Sequence, residues 1–111
     1  MKAVRQAVID IGSNTVRLVV YAGLPRAPLP IYNEKSRVKL GACLAGDGII
    51  DKVTMKKALA ALARFETLAK AMKVDTMRVV ATAATREAKN GAELVEKAAA
   101  LGIHVDVLDG D

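Results

Sequence analysis

AVRQAVIDIGSNTVRLVVY, residues 3–21, decides the fold. Two β-branched, apolar runs (3–11 and 15–21) flank Gly12-Ser13-Asn14, so they read as two strands of a hairpin around a tight turn. In the second strand Val16, Leu18 and Val20 share one face, while Arg17, Val19 and Tyr21 share the other. All three prolines (Pro25, Pro28, Pro30) fall in the next stretch, GLPRAPLP, which predicts a connection or a hairpin tip. Residues 31–40, IYNEKSRVKL, predict a charged edge strand.

Beyond it, Gly41, Gly46 and Gly48 mark a loop and lack the Lys-Ser/Thr of a P-loop. A helix is predicted from Lys52 to Met72, with Asp51 as its N-cap. Met55, Leu59, Leu62, Phe65, Leu68 and Met72 recur every three or four residues and form one apolar stripe. Residues 77–82, MRVVAT, predict a short buried strand. Asn90 and Glu93, three apart, read as a capping box that starts a second helix, and Gly102 as its C′ residue. Ile103, Val105 and Val107 alternate with polar neighbours in a last strand. The order β-β-β-α-β-α-β predicts an α/β fold, a mixed five-stranded sheet with helices packed on it. That is the organisation of a ribonuclease H-like domain.

Composition narrows the function. At 111 residues the chain is expected to be one domain, 1–111, with a single core. Its 52% hydrophobic content excludes disorder, and it has no apolar run of about 18 residues that would span a bilayer. The start MKAVRQAVID lacks a secretory signal, and the single Cys43 builds neither a disulfide framework nor a metal knuckle. A reducing, cytoplasmic setting is expected. The net charge of +5 lies wholly in residues 1–40, where seven basic residues face only Asp10 and Glu34. That asymmetry favours an anion at one part of the surface, or serves solubility. Nucleic acid is disfavoured, because one Phe, two Tyr and no Trp offer few stacking platforms.

Two clusters could carry chemistry. Asp10-Ile11-Gly12-Ser13-Asn14-Thr15 places a glycine turn where successive amides can form an anion nest. Ser13 and Asn14 add side-chain donors, Asp10 can hold a cation or its water shell, and Arg17 can supply a fixed positive charge. The residue types also suit an ordinary polar hairpin turn. The second cluster, ATAATREAKN (81–90), leaves a buried strand and enters a helical turn, with hydroxyls at Thr82 and Thr85 and a bidentate fork at Arg86. A capped turn with a solvated arginine is the alternative. His104 has no second ligand at metal spacing, Cys43 has no base partner in sequence, and Met55 and Met72 belong to the helix stripe.

Together these segments resemble the exopolyphosphatase/guanosine pentaphosphate phosphatase (Ppx/GppA) family. DIGSNTVRLVVY is similar to its first phosphate loop, D-[IL]-G-S-N-S-x-R-L. RVVATAATREAKN resembles its V-x-A-x-A-[TS]-x-A-x-R-[DE]-A-x-N block. RVKLGACLAGDGIID resembles R-x-x-L-G-x-G-L-x-x-x-G-x-[IL], and IHVDVLDGD resembles the segment leading into I-x-V-x-V-[IL]-S-G-x-E-E-A. The resemblance implies the fold of actin, Hsp70 and sugar kinases, with phosphate held between two lobes. It implies removal of terminal phosphate from polyphosphate, or of the 5′ phosphate of guanosine pentaphosphate, with Mg2+ or another divalent cation.

Carried over by position, Gly12, Ser13 and Asn14 line the phosphate loop, Arg17 and Arg86 grip phosphate, and Asp10 lies near the metal. The resemblance places no catalytic residue within the chain. The family's general-base glutamate is expected just beyond Asp111, with Asp109 standing where the family has Ser and Asp111 at the variable position before the Glu-Glu pair. The chain is therefore expected to be part of a first lobe that binds phosphate without turnover. A stand-alone, non-catalytic module for polyphosphate, nucleotide or a protein partner is the competing reading. A lobe without its partner is also expected to self-associate through an exposed apolar face, with exchange of the last strand.

Overall fold

The computed structural model describes residues 4–24 and 26–109. Ala3, at the start of the predicted first strand, and Asp111 lie outside the described residues. Strands β1 (Val4–Ile11) and β2 (Thr15–Leu24) pair antiparallel with Ile11 opposite Val16, so the turn falls where its glycine, serine and asparagine place it. Strand β3 (Ala27–Arg37) adds antiparallel to β2. Helices α1 (Leu40–Ala45) and α2 (Lys52–Ala71) follow, then β4 (Thr76–Ala81), helices α3 (Ala83–Glu87) and α4 (Gly91–Ala100), and β5 (Val105–Val107). β4 runs parallel to β1 and β5 parallel to β4, giving the mixed five-stranded order β3-β2-β1-β4-β5.

Two stretches differ from expectation. GLPRAPLP is not all connection: β3 starts at Ala27, and Pro28 and Pro30 lie opposite Gly23 and Tyr21. An edge strand bonds on one side only, so a proline whose missing N–H faces outward costs the ladder nothing. The register then shifts between Val20 and Tyr21, leaving Ile31 as the extra residue of a bulge. The glycine-marked loop after β3 also holds a helical turn, α1, anchored by the buried Leu40.

Alternation along the strands sets the core. Ala7, Ile9, Ile11, Val16, Leu18, Val20, Val79, Ala81 and Val105 point to the helix side and join one apolar cluster with α2 and α4. On α2 the face against the sheet is centred on Ala58, Leu62, Phe65 and Ala69, while Leu59, Leu68 and Met72 flank it half-buried. Of the predicted stripe, Met55, Leu62 and Phe65 are buried in the contact, and Leu59, Leu68 and Met72 border it. Alanines occupy its middle because they let the helix approach the sheet closely.

Capping follows the sequence in part. The Asp51 carboxylate accepts from the Thr54 amide at 2.7 Å, which holds its pKa below the ordinary value. Gly102 takes φ +84°, the left-handed backbone of a C′ residue. Asn90 does not cap α4 with its side chain. Its Oδ1 accepts from the Ile50 amide at 2.8 Å and its Nδ2 donates to the Ile50 carbonyl at 3.0 Å, tying the start of α4 to the loop before α2. The Asn90 carbonyl receives the Glu93 amide instead, at 3.0 Å.

At the other side of the core, Glu34 of β3 clasps α2. Arg64 donates to it through Nε at 2.6 Å and Nη2 at 3.0 Å, and the Tyr32 hydroxyl donates at 2.5 Å. These donors hold the Glu34 carboxyl down at about 2, while the same bond raises the Tyr32 hydroxyl.

Candidate phosphate-binding site

The carboxyl ends of β1, β4 and β5, the start of β2 and the end of β3 meet at one edge of the sheet. Open α/β sheets bind ligands at such an edge. The β1–β2 turn stands there, closed by the Gly12 amide donating to the Thr15 carbonyl at 2.9 Å. A Cβ at Gly12 would come within 3.2 Å of that carbonyl, so the absence of a side chain keeps the turn tight.

The turn is fixed by its carbonyls. Asn14 O accepts from the Val38 and Lys39 amides at 3.1 and 3.0 Å, and Ser13 O accepts from the Gly41 amide at 2.7 Å. The Ser13 and Asn14 amides have no acceptor among the described residues, and both residues are exposed. Two free N–H groups on an immobilised turn, beside a hydroxyl and a carboxamide, form an anion cradle.

The clamping segment is a part of the site that composition did not single out. Lys39 sits at φ 61°, a left-handed backbone that a non-glycine residue adopts only where its surroundings hold it. A Cβ at Gly41 would lie 3.3 Å from both Ser13 Cβ and Ser13 O. The signal was the R-x-x-L-G block quoted above, whose glycine is the residue that permits this approach.

Asp10 and Arg17 are cross-strand partners one pair inside the turn. Both are exposed and point away from the helices, since Ile9, Ile11, Val16 and Leu18 take the other face. Arg86 lies elsewhere: its Nη1 donates to the Leu108 carbonyl at 2.7 Å, over the end of β5. β2 and β5 are separated by β1 and β4, about 14 Å across at roughly 4.8 Å per strand spacing. Arg17 and Arg86 therefore flank the turn from two sides and do not converge. The Thr82 amide reaches the Ile11 carbonyl at 3.3 Å, which joins the second cluster to the turn. Thr85 faces inward, 2% exposed, and its hydroxyl has no partner among the described residues.

Among the described residues no three His, Cys, Asp or Glu side chains cluster into a ready-made metal cage. Mg2+ is commonly held by one or two carboxylates with waters and substrate phosphates, so Asp10 beside an anion cradle suits it. Cys43 lies in α1, its Sγ 3.7 Å from Asp51 Oδ2, and the exposed His104 ring sits 3.1 Å from Asp106 Oδ1.

A mixed 3-2-1-4-5 sheet with a glycine-serine-asparagine turn at its carboxyl edge defines a ribonuclease H-like domain of the actin, Hsp70 and sugar-kinase group. The family model of the Ppx/GppA phosphatase family matches residues 19–111, and the chain belongs to that family. An Aquifex aeolicus Ppx/GppA member shares the fold with a TM-score of 0.90 and 29% identity, over 96% of this chain and 35% of its own. An exopolyphosphatase from Cytophaga hutchinsonii gives 0.87 and 32%, over 96% and 34%. A guanosine-5'-triphosphate,3'-diphosphate pyrophosphatase of Vibrio cholerae serotype O1 is 28% identical over 106 residues, 95% of this chain and 21% of the relative. The chain thus spans about a fifth of that relative's length and about a third of those two structures.

Proposed function

We propose that residues 1–111 are the phosphate-binding part of the first lobe of a two-lobed phosphohydrolase. Its reaction is the release of terminal phosphate from polyphosphate, or of the 5′ phosphate from guanosine pentaphosphate, by attack of water. The observation that carries this reading is the β1–β2 turn, whose carbonyls are clamped by residues 38–41 while the Ser13 and Asn14 amides stay uncommitted. Family membership and the names of two relatives, an exopolyphosphatase and a guanosine-phosphate pyrophosphatase, support the substrate class.

In the mechanism, Gly12 keeps the turn tight, and the Ser13 and Asn14 donors hold the oxygens of the terminal phosphate. Arg17 adds charge from the sheet face. Arg86, whose Nη1 donates to the Leu108 carbonyl, offers its remaining guanidinium N–H groups to phosphate. Asp10 would hold Mg2+, which when bound neutralises charge on phosphate oxygens. A general base must lie within hydrogen-bond reach of the attacking water, and closure of two lobes keeps bulk water out. Neither is supplied by these residues, so the chain by itself binds and does not turn over. Family membership supports a cytoplasmic setting as part of this proposal. Among the described residues no helix is long and apolar enough to cross a membrane.

Calorimetric titration with short-chain polyphosphate and Mg2+, beside Arg17→Ala and Arg86→Ala, tests the reading. Saturable binding weakened by both substitutions is expected. Binding indifferent to both arginines, or none, overturns the residue assignments. Phosphate release by the isolated chain would overturn the expectation of inactivity.

A further inference from the structure

The register places a row of charge across the helix-free face of the sheet: Asp10 on β1, Arg17 opposite it on β2, and Lys35 opposite Arg17 on β3. Arg37, opposite Thr15, stands one step from Lys35 on the same face and diagonal to Arg17. Directly opposed side chains have Cβ atoms about 4.5–5.5 Å apart and diagonal ones about 7–8 Å, so three cations share one small area. All three are exposed, and none forms an ion pair among the described residues. The carboxylate nearest in sequence, Glu34, points to the helix side, where Arg64 and Tyr32 occupy it. Farther along this face the contrast is plain: Arg78 has Asp106 at 3.9 Å.

Like charges opposed across a ladder destabilise a sheet, and a multivalent anion laid over them relieves the repulsion. The cations also continue from the cradle. Arg37 directly precedes the Val38 and Lys39 amides that hold Asn14 O, so the strip begins where a phosphate on the turn would end.

We propose that Arg17, Lys35 and Arg37 form a cationic strip that takes the phosphates of a linear inorganic oligophosphate beyond the terminal one. This rests on the phosphate-turn reading above, and it favours a chain of phosphates over a nucleoside at that position. The strip offers no aromatic surface for a base: Tyr32 is on the helix side, and Tyr21 is four residues along β2, about 13 Å away. Single-stranded nucleic acid, which gains much of its affinity from stacking, therefore fits less well.

The test is a titration of the isotope-labelled chain, followed by amide NMR, with orthophosphate and with tripolyphosphate, beside the double variant Lys35→Gln/Arg37→Gln. The amides of residues 35–37 are expected to shift with tripolyphosphate alone. The double variant should weaken tripolyphosphate about tenfold or more, and orthophosphate less than about twofold. The double variant removes exposed side chains only, and Lys35→Arg/Arg37→Lys should retain the affinity if charge on the strip is what matters. Equal loss for both anions, or loss for neither, overturns the strip. Competition by oligouridylate as strong as that by tripolyphosphate, at equal phosphate, also overturns it, as a surface for polyanions in general. Shifts at Ser13 and Asn14 without shifts at 35–37 would sink the strip and leave the turn. Shifts at 35–37 with a silent turn would sink the turn and leave the strip as an anion site.

Discussion

The two faces of one sheet are built from alternate residues of the same strands, yet they obey different rules. On the helix side Ile9, Ile11, Val16, Leu18 and Val20 are 0% exposed, and every position is apolar from Ala7 to Ile11 on β1 and along the first half of β2, with Arg5 at the margin donating to the Met72 carbonyl. On the other side Val8, Val19, Tyr21 and Val80 stay half-buried, interrupted by Asp10, Arg17, Lys35 and Arg78. The first face was shaped by packing, where a lost methylene is felt. The second keeps unpaired cations next to the anion cradle at a cost in stability. A residue on the first face should thus report through folding, and one on the second through binding.

The largest expected effect tests the first half of that contrast. Phe65→Ala should destabilise the chain by about 3–5 kcal/mol in urea unfolding, whereas Val19→Ala should cost about 1 kcal/mol. Similar losses at both would mean that the outer face is packed as well. Gly91→Ala comes next, because a Cβ there would sit 1.9 Å from the Thr85 carbonyl. Backbone must move to admit it, at about 1–3 kcal/mol, and α3 carries Arg86, so anion affinity should fall too. Unchanged affinity would detach Arg86 from the site.

How far the sequence reaches follows the same division. Residues 3–21 specified the hairpin, the turn and the inward face because alternation and a glycine turn are local signals. The prolines misled, since whether Pro28 and Pro30 can sit in a strand depends on β3 lying at the sheet's edge. Asn90 misled in a similar way: it satisfies a capping pattern, but Ile50, forty residues earlier in the chain, offers it a better pair of hydrogen bonds. Gly12, Ser13 and Asn14 were legible as a candidate cradle, but the clamp from Val38, Lys39 and Gly41 was visible only as a motif. The row of Arg17 and Lys35 needs the register, which no single strand encodes.

Two substitutions should stabilise, and they separate the faces most cleanly. Thr85→Val replaces a buried hydroxyl that lacks a partner among the described residues, and should gain about 1 kcal/mol while preserving the shape of the site. Lys35→Glu converts a like-charge pair into an opposed one and should add about 0.2–1 kcal/mol. The same Lys35→Glu change should weaken oligophosphate binding, so stability and affinity move in opposite directions. If both rose together, the outer cations would have no bearing on the anion.

The smallest effect concerns the clasp between β3 and α2 on the helix side, Glu34 with Arg64 and Tyr32. Because the native state holds the Glu34 carboxyl at about 2 against an ordinary 4.5, its contribution is complete above about 4.5 and is lost as pH falls through about 2. The Arg64 side chain is 61% exposed, so solvent and salt keep that contribution small. Melting temperatures of the chain and of Glu34→Gln, measured between pH 5 and pH 2.5, should converge toward the acid end. Asp51, whose carboxyl is lowered by its cap on α2, leaves both proteins with a residual acid dependence. A constant gap between the two melting curves across that range would show that Glu34 does not hold β3 to α2 through its charge. The edge strand that presents Lys35 and Arg37 would then owe its position to the ladder with β2 alone.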